Sequence, residues 1–153
     1  VSELDVSVRA QILNLLRELK EQLNLTLILI SHDLSTIDYM ADRICVMYLG
    51  RVVEIGDRQS VLQRPLHPYT ELLLASVPVA HPRLRGRRRI PGKPLDDEQN
   101  PFEGSGCPFR DRCLYAKPKC SDQVPVLVEV EYAHKSACHY AAALELLGVE
   151  NRA

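Results

Sequence analysis

The apolar positions of the first fifty residues change rhythm several times. Val8, Ile12, Leu15, Leu16, Leu19 and Leu23 recur at helical spacing, with Arg9, Arg17, Glu18, Lys20 and Glu21 between them. This predicts an amphipathic helix, entered at Ser2 or Asp5 as its cap. Residues 26–31, TLILIS, form a continuous apolar run rich in β-branched side chains. Without polar alternation, the run predicts a strand buried on both faces, as a parallel sheet requires. Leu34, Ile37, Tyr39 and Met40 return to helical spacing, and ICVMYLG followed by RVVEIG predicts two strands that turn at Gly50. The order α, β, α, β, β is that of the closing part of an α/β domain.

The second half is punctuated differently. All ten prolines lie at or after Pro65 and the first glycine is Gly50, so an unbroken apolar portion, residues 1–65, is joined to a loop-rich one, residues 66–153. Pro68 in HPYT suits a first helical turn, which predicts a helix from His67 to Ser76. The formal net charge is −1, which excludes a globally electrostatic nucleic-acid binder. Arg83, Arg85, Arg87, Arg88, Arg89 and Lys93 make a local basic run, followed by Asp96, Asp97 and Glu98. No stacking aromatics accompany it, and a solvated linker is the expectation, with no nucleic-acid partner. No apolar stretch reaches the roughly 20 residues of a membrane span, and no basic and apolar leader is present. The chain is expected to be soluble or held at a membrane through partners; its opening on Val1 suggests a fragment.

Two clusters of residues carry candidate chemistry. Ser31, His32 and Asp33 close the predicted buried strand, and ligands of open α/β sheets bind beyond the carboxyl ends of strands. Further on, Cys107, Cys113, Cys120 and Cys138 are separated by five, six and seventeen residues, whereas Cys45 falls in a predicted strand and is read as a small buried residue. Persistent disulfides are not expected in an intracellular chain. Four thiolates in a segment poor in apolar residues suggest a metal that staples a lobe unable to build its own core. Zinc usually shows tighter cysteine pairs, a [4Fe-4S] cluster tolerates wide spacing, and free thiols are the metal-free alternative. His134 and His139 could replace one cysteine, but are expected to cap or to face solvent.

Several phrases together resemble a known family. VSELDVSVRAQILNLLREL, ISHDL and GRVVEIGD are similar to the C-terminal third of an ABC-type ATPase; Glu3 in SELD stands where the family usually has alanine. RPLHPYTELLLASVP, IPGKP, GCPFRDRC, KCSDQVPVL and HKSACHY resemble the C-terminal extension of ATP-binding subunits of oligopeptide and dipeptide importers. The resemblance implies an α/β fold: the C-terminal part of a P-loop ABC ATPase domain, with a parallel-sheet layer and helices, over 1–65. A small loop-rich extension with a four-cysteine lobe follows over 66–153.

It further implies ATP and Mg²⁺ as cofactors, His32 as the catalytic histidine that senses the γ-phosphate, and Ser2 and Asp5 at the nucleotide-binding dimer interface. A [4Fe-4S] cluster on Cys107, Cys113, Cys120 and Cys138 is the implied metal group. The implied partners are a second ATP-binding subunit, identical or homologous, transmembrane permease subunits and, indirectly, a peptide-binding protein, all meeting at the cytoplasmic face of the membrane. The sequence contains no GxxxxGK[ST] phosphate loop, no LSGGQ-type signature and no apolar strand ending in Asp-Glu. Alone, therefore, the chain is not expected to assemble an ATPase site, and with no neighbours for its strand at 26–31 it is expected to be marginally stable or to self-associate. The other reading, from a different class, is a truncated stand-alone metal-binding interaction module without ATPase activity.

Overall fold

The computed structural model describes residues 6–76 and 105–149. The expectations at Ser2 and Asp5, the arginine run and the PGKPL phrase lie outside the described residues. The chain divides into two compact units, residues 1–42 and residues 43–153.

The first unit contains α1 (Val6–Gln22) and α2 (Leu34–Met40), both where the helical spacing predicts them. Leu13 is buried; Arg9 Nη1 lies 3.2 Å from Asp33 Oδ2, Lys20 Nζ 2.5 Å from Asp42 Oδ2, and the Tyr39 hydroxyl donates to Asn14 Oδ1 at 2.5 Å. Between the helices the expectation fails: residues 26–31 form no strand. Their exposure nonetheless alternates with a period of two, at 42% for Leu27, 92% for Ile28, 38% for Leu29 and 93% for Ile30. A strand exists only through the ladder it shares with a neighbour, and among the described residues nothing pairs with this segment. It keeps the apolar composition of a buried strand without the burial.

The second unit is built on a four-stranded sheet in the order β1-β2-β4-β3, from β1 (Arg43–Tyr48), β2 (Arg51–Asp57), β3 (Val128–Glu131) and β4 (His134–Ser136). Every pairing is antiparallel, which corrects the expected parallel layer: these strands are joined through a tight hairpin and a long return, not through crossover helices. The β1–β2 hairpin turns where expected, at Leu49 and Gly50, whose φ values of 45° and 73° match the left-handed pair of a two-residue hairpin turn. Cys45 is on β1 but exposed, because Ile44 and Val46 take the inward face; the buried reading of Cys45 is corrected by the strand's phase.

One irregularity sets the inward face of β2. The ladder runs Val46 to Glu54 and then Met47 to Val52, so Val53 is an extra residue in β2. Such a bulge lets two successive side chains turn inward, and both Val53 and Glu54 are buried. Asp57 then caps α3 (Arg58–Gln63), accepting from Ser60 N–H at 3.1 Å and Ser60 Oγ at 2.7 Å. His67 caps α4 (Pro68–Ala75), with Pro68 in the first turn. The short α5 (Lys119–Asp122) lies in the cysteine segment.

The carboxylate of Glu54, fully buried, accepts four hydrogen bonds. Leu66 N–H (2.8 Å) and His134 Nε2 (2.8 Å) reach one oxygen; His67 N–H (2.9 Å) and Thr70 Oγ1 (2.5 Å) reach the other. Four donors fill the lone-pair capacity of an ionised carboxylate. In β4 the alternation of side chains puts His134 and Ser136 on the same inward face, and Ser136 Oγ donates to Leu66 O at 3.1 Å. Glu54 thereby ties β2 to the α3–α4 connection, to α4 and to β4.

Removing it strands four buried donors. Glu54→Ala is expected to lower the unfolding free energy of the second unit by about 3–5 kcal/mol, as breaking a buried ionic network does, whereas Glu54→Gln, which keeps an acceptor, is expected to lose less. Urea titration followed by circular dichroism measures both.

Candidate functional site

The predicted ligand-binding histidine sits on a turn built by its neighbours. Ser31 Oγ accepts from Asp33 N–H at 3.0 Å. Asp33 caps α2 by accepting from Ser35 N–H at 2.9 Å, takes a further bond from Thr36 Oγ1 at 3.0 Å and pairs with Arg9 of α1. Burial pushes the Asp33 carboxyl up, but the hydrogen bonds from Thr36 and Ser35 and the charge of Arg9 outweigh it and hold it below its ordinary value. His32, between two anchored residues, is exposed. The chain thus fixes the backbone of the SHD turn and leaves the imidazole facing out.

In the second unit the four cysteines are brought to one place. Cys107, Cys113, Cys120 and Cys138 all line one narrow pocket, together with His67, Pro68, Phe109 and His139. Cys107 N–H donates to Cys120 O at 2.7 Å, which clasps the two ends of the 107–120 loop. Gly106 makes this approach with φ +97°, and a side chain there would run into the carbonyls of Cys120 and Ser121. Cys138 arrives on the continuation of β4, where Ala137 N–H donates to Val53 O at 2.8 Å. Burial pushes the thiols of Cys107, Cys113 and Cys138 up, Cys113 to about 11, and the neighbouring cysteines add to each shift. Gathered thiols of this kind resist ionisation until a cation compensates them. As they stand, no group of three or more His, Cys, Asp or Glu side chains among the described residues is arranged to hold a metal ion.

Aromatic rings and buried acids form the walls. The Phe109 ring packs against Tyr48, Tyr69 and His67 with centroids 5.3, 5.5 and 5.8 Å away. Glu71, buried in α4, accepts from the Tyr115 hydroxyl at 2.9 Å and from Leu147 N–H at 2.8 Å, which holds the cysteine loop and the last described residues against the helix. Burial, and then Glu71, push the Tyr115 phenol up to about 12. His67 is 2% exposed; its Nδ1 accepts from Tyr69 N–H at 3.1 Å, and burial pulls its pKa down to about 4.

Residues 53–120 match the family described as the oligopeptide/dipeptide transporter, C-terminal region. The oligopeptide transport ATP-binding protein AppF of Bacillus subtilis is 45% identical over 141 residues, which are 91% of this chain and 42% of AppF. A Brucella ovis protein named for peptide import and ATP binding is 46% identical over 138 residues, 90% of this chain and 43% of that protein. The chain is similar to proteins named as ATP-binding proteins of peptide import and oligopeptide transport. It spans less than half the length of these relatives.

Against that family, the residues singled out in the sequence fall into three groups. His32 and the four cysteines stand in the settings just described, and Ser2 and Asp5 lie outside the described residues. The histidines offered as substitute ligands are resolved differently. His134 neither caps nor faces solvent: it is fully buried on β4 against Glu54. His139 is half-buried, with Nε2 2.8 Å from the Gln123 carbonyl oxygen. Sequence reasoning missed Glu54, Glu71 and Phe109. In VVEIG Glu54 lies in phase with Gly56 and opposite Val46 on the inward face, and the bulge brings Val53 in beside it; a charged residue in a strand gives no mark in the sequence that it is buried.

His67 gives the family's HPYT phrase a pH signature. An unfolded histidine titrates near 6.5, whereas the folded imidazole stays neutral to about 4. Below pH 6.5 the unfolded chain binds a proton that the folded chain refuses, so stability is complete above that pH and falls as the pH drops toward 4. Over the whole window the loss is about 3 kcal/mol. In metal-free protein, urea midpoints between pH 7 and pH 4 are expected to fall less in His67→Asn, which keeps a capping side chain but does not titrate.

Proposed function

We propose that the chain is part of an ATP-binding and ATP-hydrolysing subunit that energises ABC-type import of oligopeptides or dipeptides. The observation that carries this reading is the SHD turn. An exposed histidine between two anchored residues, in a chain so similar to proteins named for peptide import and ATP binding, has the setting of a phosphate sensor. Phosphoryl transfer to water depends on positioning and charge stabilisation more than on covalent chemistry. A neutral imidazole offers one donor and one acceptor, enough to contact a γ-phosphate oxygen and orient the attacking water together. In this reading His32 performs that role. Ser2 and Asp5 reach a second ATP-binding subunit across the dimer interface, and Mg²⁺ and the phosphate loop come from residues that the 153 do not contain. Residues 1–65 then belong to the ATPase domain and 66–153 to the importer extension. The assembly lies on the cytoplasmic face of the membrane against transmembrane permease subunits, which receive peptide from a binding protein.

In the extension, Cys107, Cys113, Cys120 and Cys138 are proposed as ligands of a [4Fe-4S] cluster. Four thiols around one cavity suit a group that takes one thiolate at each of four irons. Arg110 and Arg112 supply positive charge near the negative assembly, and Arg110 already lowers the Cys107 thiol against the effect of burial. When bound, such a cluster would supply a covalent staple and a one-electron redox centre; Cys107, Cys113, Cys120 and Cys138 would hold it, with Phe109 lining the same pocket.

Two measurements test the two parts. His32→Ala in the full-length transporter is expected to abolish peptide uptake while ATP binding is largely retained; uptake at wild-type rates removes His32 from the mechanism. Anaerobic purification of this chain is expected to give iron and acid-labile sulfide in equal amounts, near four per chain, and absence of both removes the cluster.

A further inference from the structure

Arg112 carries a guanidinium that the fold holds in place and leaves unpaired. Its central carbon stands 5.8 Å from the centroid of the buried Phe109 ring, a cation–π platform, and the side chain is half-buried. Nε is shut off from solvent and makes no hydrogen bond, so the packed stem and the ring, not an acceptor, set the direction of the head. The adjacent acid is committed elsewhere: Asp111 Oδ1 lies 3.4 Å from Nε of Arg110. Among the described residues no carboxylate pairs with Arg112. Tyr48 and Tyr69 pack on the same platform, with ring centroids 5.3 and 5.5 Å from Phe109 and 4.7 Å from each other. Both are half-buried, and neither hydroxyl has a hydrogen-bond partner among the described residues. Burial pushes the Tyr69 phenol up and the charge of Arg112 acts against it, as a cation within electrostatic reach of the phenol does.

We propose that Arg112, with the Tyr69 hydroxyl as a second donor, is a docking point for an Asp or Glu side chain of an acidic segment in a partner polypeptide. With Nε buried, the head meets a carboxylate end-on through its two Nη groups, whose parallel N–H bonds match the two carboxylate oxygens; a lysine ammonium has no such fork. The charge decides what docks, since the chain supplies no counter-ion here and a basic segment would be repelled. The surroundings favour a polypeptide over a small free anion. Arginine and tyrosine on a packed aromatic base are the residue types that dominate binding energy at protein interfaces, and Leu114, 54% exposed and two residues along, adds apolar surface that a small anion leaves unused. Because ring and stem already fix the guanidinium, docking orders little that is not ordered beforehand.

The experiment uses the full 153-residue chain with its cysteines reduced, and a fluorescein-labelled peptide of six glutamates as the probe. Fluorescence anisotropy gives its affinity, and the Arg112 Nε–H signal in a ¹⁵N-correlated spectrum, assigned by its absence from Arg112→Lys, reports where it binds. Expected are saturable binding with a shift of that signal, affinity lowered about tenfold in Arg112→Lys, as loss of a charge-assisted hydrogen bond does, and binding at background in Arg112→Gln. Tyr69→Phe, which keeps the ring and loses the hydroxyl, is expected to bind more weakly than wild type and keeps the test decisive should the Arg112 variants fail to fold. A wild-type chain that does not bind the peptide, Arg112→Gln or Tyr69→Phe binding as tightly as wild type, or free acetate shifting the Arg112 signal as far at the same carboxylate concentration, overturns the inference.

Discussion

A single buried carboxylate, that of Glu54, organises the second unit, because the α4 and β4 walls of the cysteine cavity are both tied to it. Its four donors come from the α3–α4 connection, α4 and β4, up to 80 residues from Glu54 in sequence. A buried charge is tolerated only when fully hydrogen-bonded, and a fully bonded one accepts few alternative arrangements. The carboxylate therefore trades stability for definition: it fixes where His67 stands on one wall and where β4 delivers Cys138 on another. Glu71 repeats the device on the far side of α4, holding Tyr115 and Leu147. A lobe with few large apolar side chains is positioned by two acids where a larger domain would use hydrophobic mass.

The legible part of the fold was the part set by local rules. The helical repeat from Val8 to Leu23 and the Leu49–Gly50 turn both stand as read, because periodicity and turn chemistry act within a few residues. The misread part depended on partners. Residues 26–31 have the composition of a doubly buried strand, but composition states only what a segment would bury, and exposed Ile28 and Ile30 show that nothing among the described residues covers it. The parallel layer failed for the same reason, since it was inferred from that strand.

The two candidate sites differ in just this respect. The SHD turn is assembled within residues 31–36, with Arg9 as a distant contributor, so three adjacent letters were enough to find it. The cysteine cavity is assembled from loop, helix and strand, and its spacing announced four ligands without saying what shaped the space between them. Glu54 and Phe109 had no local signature: one is a charged residue in a strand, the other an aromatic beside a proline, and each acquires meaning only from what folds against it.

The bulge at Val53 connects these scales. With regular alternation, Val53 and Glu54 would face opposite sides of the sheet, and the carboxylate could not meet its donors while Val53 stayed in the core. One extra residue in β2 lets the apolar and the acidic side chain share the inward face, while Val53 O remains available to Ala137 N–H on the approach to Cys138. The strand therefore supplies at one place the core contact, the ionic anchor and the backbone guide. A slip of the β1–β2 register by one residue would disturb all three together, so the geometry of the cavity is set some eighty residues upstream of the last cysteine that lines it.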